Sequence, residues 1–171
     1  MGAHALFLDR DGTLMVDTGY VRDPVDVQLL PGVVEALREA RKLGFQLVVV
    51  SNQSGVARGI ISPAQLNAVQ KRFEDLLARE GISLDGAWFC LHGPDEGCAC
   101  RKPAPGLLRQ AATARDIDLS RSVMVGDRES DVLAGRAAGC TTILLDRTSP
   151  HAHYTAASLI DSVPILRRLS L

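Results

Sequence analysis

No stretch of the sequence reaches the ~18–20 consecutive apolar residues that a membrane span requires. The opening Met1-Gly2-Ala3-His4 runs into a short apolar segment without the basic-then-apolar order of an export signal. Neither sign of charge dominates: 19 Lys and Arg face 20 Asp and Glu, a formal net charge of -1, and no block of like charges forms a tail. A broad basic field for nucleic acid is therefore absent, and a cytoplasmic enzyme with no nucleic-acid or membrane partner is the plain expectation. No repeat, low-complexity tract or linker divides the 171 residues, a length suited to one hydrophobic core. With no unexplained apolar stripe either, a monomer is expected.

Cysteine is scarce and unevenly placed. Cys90, Cys98 and Cys100 crowd around His92, while Cys140 stands alone and reads as a buried apolar residue. In a chain without an export signal such clustering indicates a metal rather than disulfides. Three thiolates and an imidazole within residues 90–100 make a complete tetrahedral set for Zn²⁺, and four protein ligands leave no open position, so the expected role is structural. The bland alternative is free buried cysteines beside a surface histidine. His4, His151 and His153 have no comparable surroundings.

What the chain does have is alternation. Ala5–Leu8, Phe45–Val50, Ala87–Cys90, Ser122–Val125 and Thr141–Leu145 read as strands. Helical periodicity covers Val33–Leu43, a stretch opened by Ser62-Pro63 and ended by Gly81, Leu107–Arg115, and Ser130–Ala138. A last helix over Ser158–Leu169, with Pro164 in its first turn, is expected to cover one edge. This rhythm predicts an α/β fold, a Rossmann-like parallel sheet sandwiched by helices, as a single domain over 1–171. Ligands in such folds bind where loops leave the carboxyl ends of strands.

The polar residues stand there. Asp9 and Asp11 follow Leu8, Ser51-Asn52-Gln53-Ser54-Gly55 follows Val50, the Cys/His loop follows Cys90, and Gly126-Asp127 follows Val125. Asp9, Asp11 and Asp127 gathered together would repel one another unless a hard cation such as Mg²⁺ joined them. Alone, Asp-Arg-Asp-Gly also suits a surface turn. The Ser51 segment offers donors to phosphoryl oxygens, or equally a capped strand-to-helix turn. Lys102, restricted by Pro103 and Pro105, can offset negative charge, although most lysines are merely solvated. Asp131 sits one helical turn past Asp127, as a supporting group near the metal or simply as a favourable charge at a helix start.

Asp-x-Asp-Gly-Thr from Asp9, Ser-Asn-Gln-Ser-Gly from Ser51, Arg101-Lys102-Pro103 and Gly-Asp-x-x-x-Asp from Gly126, in this order, resemble the haloacid dehalogenase superfamily. The resemblance runs from Leu6 to about Leu145. It implies a Mg²⁺-dependent phosphatase in which Asp9 attacks phosphorus to form an aspartyl-phosphate. Asp11 would protonate the leaving oxygen and then activate water. Mg²⁺ would be held by Asp9, the main-chain carbonyl of Asp11, and Asp127, with Ser51 and Lys102 stabilising the transferring group. Neither the stretch from Asp11 to Ser51 nor that from Ser51 to Lys102 leaves room for a cap domain, so an open site is expected.

The loop at 90–100 narrows the resemblance to the zinc-bearing, capless phosphatases, which include enzymes for heptose bisphosphates and for histidinol phosphate. Ser51 to Gly59 looks like the heptose enzymes, whereas the histidinol enzymes usually carry an acidic residue at the position of Ser54. Asp17-Thr18-Gly19-Tyr20-Val21 is also similar to the heptose enzymes' substrate loop. The short zinc loop is closer to the histidinol enzymes, and Met15 departs from the Asn usual in the heptose pattern. Carried over by position, Asp17, Thr18, Gly19 and Tyr20 would contact sugar, while Ser51, Asn52, Gln53, Ser54 and Lys102 would contact phosphate. Arg101 would meet a distal phosphate, unless it is only a surface charge, and Arg128 would also face phosphate. The expected partner is a small phosphorylated sugar. The rivals are histidinol phosphate, a nucleic-acid 3′-phosphate (against the neutral charge balance), and a catalytically silent zinc-stabilised interaction domain.

Overall fold

Ala5, Leu6, Phe7 and Leu8 form strand β1 (Ala5–Leu8) and are all fully buried, which a strand permits only when both of its faces are covered. In this computed structural model, which describes residues 2–170, that covering is complete. Met1 and Leu171, the ends of the expected domain, lie outside the described residues. The elements that follow are α1 (Val33–Lys42), β2 (Gln46–Asn52), α2 (Pro63–Arg79), β3 (Gly86–Cys90), α3 (Gly106–Arg115), β4 (Val123–Gly126), α4 (Glu129–Ala138), β5 (Thr141–Leu145), β6 (Tyr154–Ala156) and α5 (Val163–Leu169). The strands pair in parallel in the order β3-β2-β1-β4-β5-β6.

Successive side chains of β1 point to opposite faces and enter two separate clusters. Leu6 and Leu8 pack with Ala36 and Leu37 of α1, Val69 and Phe73 of α2, and Leu166 of α5. Ala5 and Phe7 pack with Leu107, Leu108 and Ala111 of α3 and Ala134 of α4. Burying a side chain such as Phe73 contributes roughly 1.5–3 kcal/mol. The helix starts follow local chemistry. Ser62 accepts from the Gln65 main-chain N–H at 3.1 Å while the Gln65 side chain accepts from Ser62 N–H at 2.9 Å, closing a capping box with Pro63 in the first turn.

Three differences from the sequence expectation are physical. β2 extends through Ser51 and Asn52, because β3 supplies partners for both, Phe89 and Cys90. β6 was not expected: Tyr154-Thr155-Ala156 has no apolar run, and only parallel pairing with β5 makes it a strand. The tail is a 3₁₀ turn (Ile160–Ser162) followed by α5. It packs beside α1 on a sheet face, with Pro164 in its first turn as expected, and β6 extends the edge instead. Between β1 and β2 lie only a 3₁₀ turn (Pro24–Asp26) and α1, so no cap domain is inserted there. Among the described residues no helix is long and apolar enough to cross a membrane.

Candidate active site

The rim at the carboxyl ends of β1, β2 and β4 holds a cavity of about 550 Å³. Asp9 leaves β1 with its N–H bonded to Val125 O of the neighbouring strand at 3.2 Å, which fixes the carboxylate beside β4. It is only 7% exposed. Burial, with the charge of Asp131 added, pushes the Asp9 carboxyl up to about 6 despite the opposing charge of Lys102. Lys102 arrives from the loop after β3 and is equally buried. Its ammonium donates to Asp9 Oδ1 at 3.0 Å, Asp131 Oδ1 at 2.7 Å and Val50 O at 2.7 Å. All three ammonium hydrogens are thereby engaged. Burial works against that charge, but Asp131 and Asp9 more than offset it and raise the lysine's pKa.

The main chain of Lys102 is held as firmly as its side chain. Asn52 accepts from Lys102 N–H and donates to Lys102 O, both at 3.0 Å. Asn52 therefore fastens the lysine loop onto the end of β2. Gln53 donates to Asp11 Oδ2 at 2.9 Å and to Ser51 Oγ at 3.0 Å. Asp11 is also met by one edge of the Arg10 guanidinium, Nε donating to Oδ1 at 2.8 Å and Nη2 to Oδ2 at 3.3 Å.

Asp127 stands just past β4, hydrogen-bonded by Thr13 Oγ1 at 3.2 Å. Burial, then the Asp9 charge, raises its pKa. Gly12, at φ +87°, passes so close that a Cβ there would lie 2.5 Å from Asp127 Oδ2, so the Gly after the Asp pair leaves room for this carboxylate. Oxygens of Asp9, Asp127 and Asp131 all lie within 4.8 Å of one another. Three carboxylates against one ammonium form a donor set suited to a hard divalent cation. Asp131 is engaged on both oxygens, Oδ1 accepting from the Lys102 ammonium and Oδ2 from Arg128 N–H at 3.1 Å.

Among the expected substrate contacts, Asp17, Gly19, Tyr20, Ser51, Asn52, Gln53, Ser54, Arg101, Lys102 and Arg128 line the cavity, and Thr18 does not. Asp17 is shaped by its own loop, accepting from Gly19 N–H at 3.0 Å and from Arg128 Nη2 at 3.1 Å. Arg58 also lines the cavity and went unread in the sequence, although it lies inside the Ser51–Gly59 stretch. Among the described residues neither Arg58 nor Arg101 forms an ion pair, and Arg101 Nη1 is buried without a hydrogen-bond partner. Asp127 lines a second, more apolar cavity of about 480 Å³ and not the first.

Next to Lys102, the loop at 90–100 brings its four side chains together. Sγ separations are 2.9 Å (Cys90–Cys100), 3.6 Å (Cys90–Cys98) and 3.7 Å (Cys98–Cys100), and His92 Nδ1 is 3.2 Å from Cys100 and 3.5 Å from Cys90. Thiolates sharing a tetrahedral Zn²⁺ at about 2.3 Å would stand about 3.8 Å apart, so the set needs little adjustment to fit that ion. Burial, with Cys100 next to it, pushes the Cys90 thiol up to about 12. At Cys98 burial is outweighed by the Arg101 main-chain N–H and neighbouring thiols, which bring it down to about 7. Cys140 is buried in the core as expected, and His153 packs against Thr142, away from the loop.

A six-stranded parallel sheet with an Asp-x-Asp pair whose first member is buried against a lysine, and a further Asp pair beyond β4, defines a hydrolase of the haloacid dehalogenase type. Accordingly, a family model described as HAD-hydrolase-like matches residues 99–163. Similarity extends much further among individual proteins. The D-glycero-beta-D-manno-heptose-1,7-bisphosphate 7-phosphatase of Yersinia pestis is 46% identical over 84% of this chain and 80% of its own length. Its namesake in Escherichia coli (strain K12) is 41% identical over 93% and 89%. A crystal structure of D,D-heptose 1,7-bisphosphate phosphatase from B. bronchiseptica, complexed with magnesium and phosphate, superposes with a TM-score of 0.89 at 34% identity, covering 96% of this chain and 98% of that one. The chain belongs to the D-glycero-beta-D-manno-heptose-1,7-bisphosphate 7-phosphatase family, and it is a phosphoric monoester hydrolase.

Proposed function

We propose that this enzyme removes the 7-phosphate of D-glycero-D-manno-heptose 1,7-bisphosphate in two steps through a phosphoryl group carried on Asp9. The observation that carries the reading is the pairing of Asp9, buried and held by Lys102, with a cavity that also presents two arginines without carboxylate partners among the described residues. An Asp9 oxygen attacks phosphorus as the bond to the ester oxygen breaks, and Asp11 gives that oxygen a proton. Asp11 then takes a proton from a water whose oxygen attacks the aspartyl-phosphate, releasing inorganic phosphate and restoring Asp9. Ser51 and Ser54 line the path of the phosphoryl oxygens. Lys102 fixes the attacking oxygen of Asp9 and offsets its charge.

Asp9, Asp127 and the main-chain carbonyl of Asp11 are suited to hold Mg²⁺, which when bound would screen the phosphate charge from these carboxylates. Cys90, His92, Cys98 and Cys100 are suited to hold a structural Zn²⁺ that pins the segment delivering Arg101 and Lys102. Arg58 and Arg101 supply cations for the phosphate that is not cleaved, with Asp17, Gly19 and Tyr20 towards the sugar. Histidinol phosphate, with one phosphate, would leave that arginine pair without a second anion. The test is side-by-side turnover with Mg²⁺. The heptose bisphosphate should release phosphate at a kcat/KM well above histidinol phosphate, and the reverse order would transfer the enzyme to the histidinol substrate. No hydrolysis of either would leave a silent interaction domain.

A further inference from the structure

Arg10 is a charged side chain with no solvent exposure, and among the fully buried residues it is the largest. A guanidinium removed from water is costly unless its donors are satisfied, so its partners indicate what it is for. Nε and Nη2 meet the two oxygens of Asp11 as a fork, and Nη1 donates to Gln70 Oε1 of α2 at 3.1 Å. The Phe89 ring lies 5.6 Å from the Arg10 Cζ. Gln70 is itself oriented from its other end, since its Nε2 donates to Glu74 Oε1 at 3.1 Å. Asp11 opens onto the cavity, whereas Arg10 and Gln70 do not line it.

We propose that Arg10, braced by Gln70, is a positioning residue that fixes the carboxyl of Asp11 for proton transfer to the leaving oxygen. The inference rests on the acid role given to Asp11 above. A general acid must lie within hydrogen-bond reach of the oxygen it protonates, and small misplacements are expensive in rate. A planar fork on both carboxylate oxygens fixes the plane of the group as well as its distance, which a lysine's point charge does not do. The brace on α2 carries the constraint back to a helix whose Phe73 and Leu77 are locked in the core.

The test compares kcat/KM, which reports the first irreversible step, on two substrates. Heptose bisphosphate needs its leaving oxygen protonated; p-nitrophenyl phosphate releases a stable anion and does not. Arg10→Lys and Gln70→Leu should lower kcat/KM for the bisphosphate by about 10–100-fold and for p-nitrophenyl phosphate by less than about threefold, within the range of general acid catalysis. Should Arg10→Lys fail to fold, Gln70→Leu decides alone, because Gln70 contacts Arg10 and Glu74 rather than the cavity. Equal losses on both substrates, or none, would overturn the relay. Asp11→Asn is the control that separates the two claims. If it gives the split while the Arg10 and Gln70 variants do not, the relay alone is wrong; if it gives no split, the acid role fails and takes the relay with it.

Discussion

Lys102 Nζ donates to Asp9 Oδ1 over 3.0 Å, joining residues 93 positions apart, and the same ammonium holds Asp131 at 2.7 Å. Removing the cation while keeping the chain length, as in Lys102→Met, leaves two buried carboxylates facing each other. Breaking a buried pair in this way destabilises by about 3–5 kcal/mol. Thermal unfolding should show the loss without Mg²⁺, and added Mg²⁺ should recover part of it. Turnover should fall by roughly 10²–10³-fold or more, in line with loss of a preorganised charge.

Asp9 gives a pH dependence whose sign follows from its raised pKa. A carboxyl raised to about 6 in the folded protein contributes stability fully present below its ordinary value of 3.8 and lost as pH rises through about 6. Asn resembles the protonated form. Without Mg²⁺, Asp9→Asn should therefore be more stable than the parent at pH 7, with the gap closing as pH falls towards 4. Mg²⁺ should reverse the order at pH 7 by stabilising the parent alone. A gap independent of pH in chemical denaturation would show that Asp9 does not carry its charge at a net cost.

The four side chains of the loop at 90–100 lead to an expected content of about one zinc per chain by elemental analysis. Cys98→Ser should lower that content and the melting temperature. It should also reduce turnover with Mg²⁺ in excess, because residues 90–100 run directly into Arg101 and Lys102. Full activity in zinc-free protein would remove the structural role.

Arg58 and Arg101 line the cavity without carboxylate partners among the described residues, so their substitution should act on binding of the second phosphate. Arg58→Ala and Arg101→Ala should each raise KM for the heptose bisphosphate by about 10–100-fold, the scale of one charge-assisted hydrogen bond. The monophosphate p-nitrophenyl phosphate should be hydrolysed with a KM changed far less by Arg58→Ala.

Much of this arrangement is legible in the sequence, for a physical reason. Strands buried on both faces, such as Ala5–Leu8, leave uninterrupted apolar runs, and the residues just after them fall on one rim whatever the strand order. What escapes is non-local. β6 has no apolar signature and exists through its pairing with β5. Ser51 and Asn52 become strand rather than loop because β3 lies alongside. That Asn52 holds the main chain of Lys102, 50 residues on, has no local signal. Arg10 sits inside the Asp-x-Asp motif, where its charge suggests exposure, and its burial follows only when Gln70 and Phe89 are brought to it.

In the proposed reaction, phosphate passes through Asp9. Acid quenching during turnover of heptose 1,7-bisphosphate with Mg²⁺, followed by peptide mass spectrometry, tests it most directly. One phosphoryl group is expected on the peptide bearing Asp9, absent from Asp9→Asn, which should also be inactive. Turnover that persists in Asp9→Asn, or a phosphoryl group found on another residue, would contradict it.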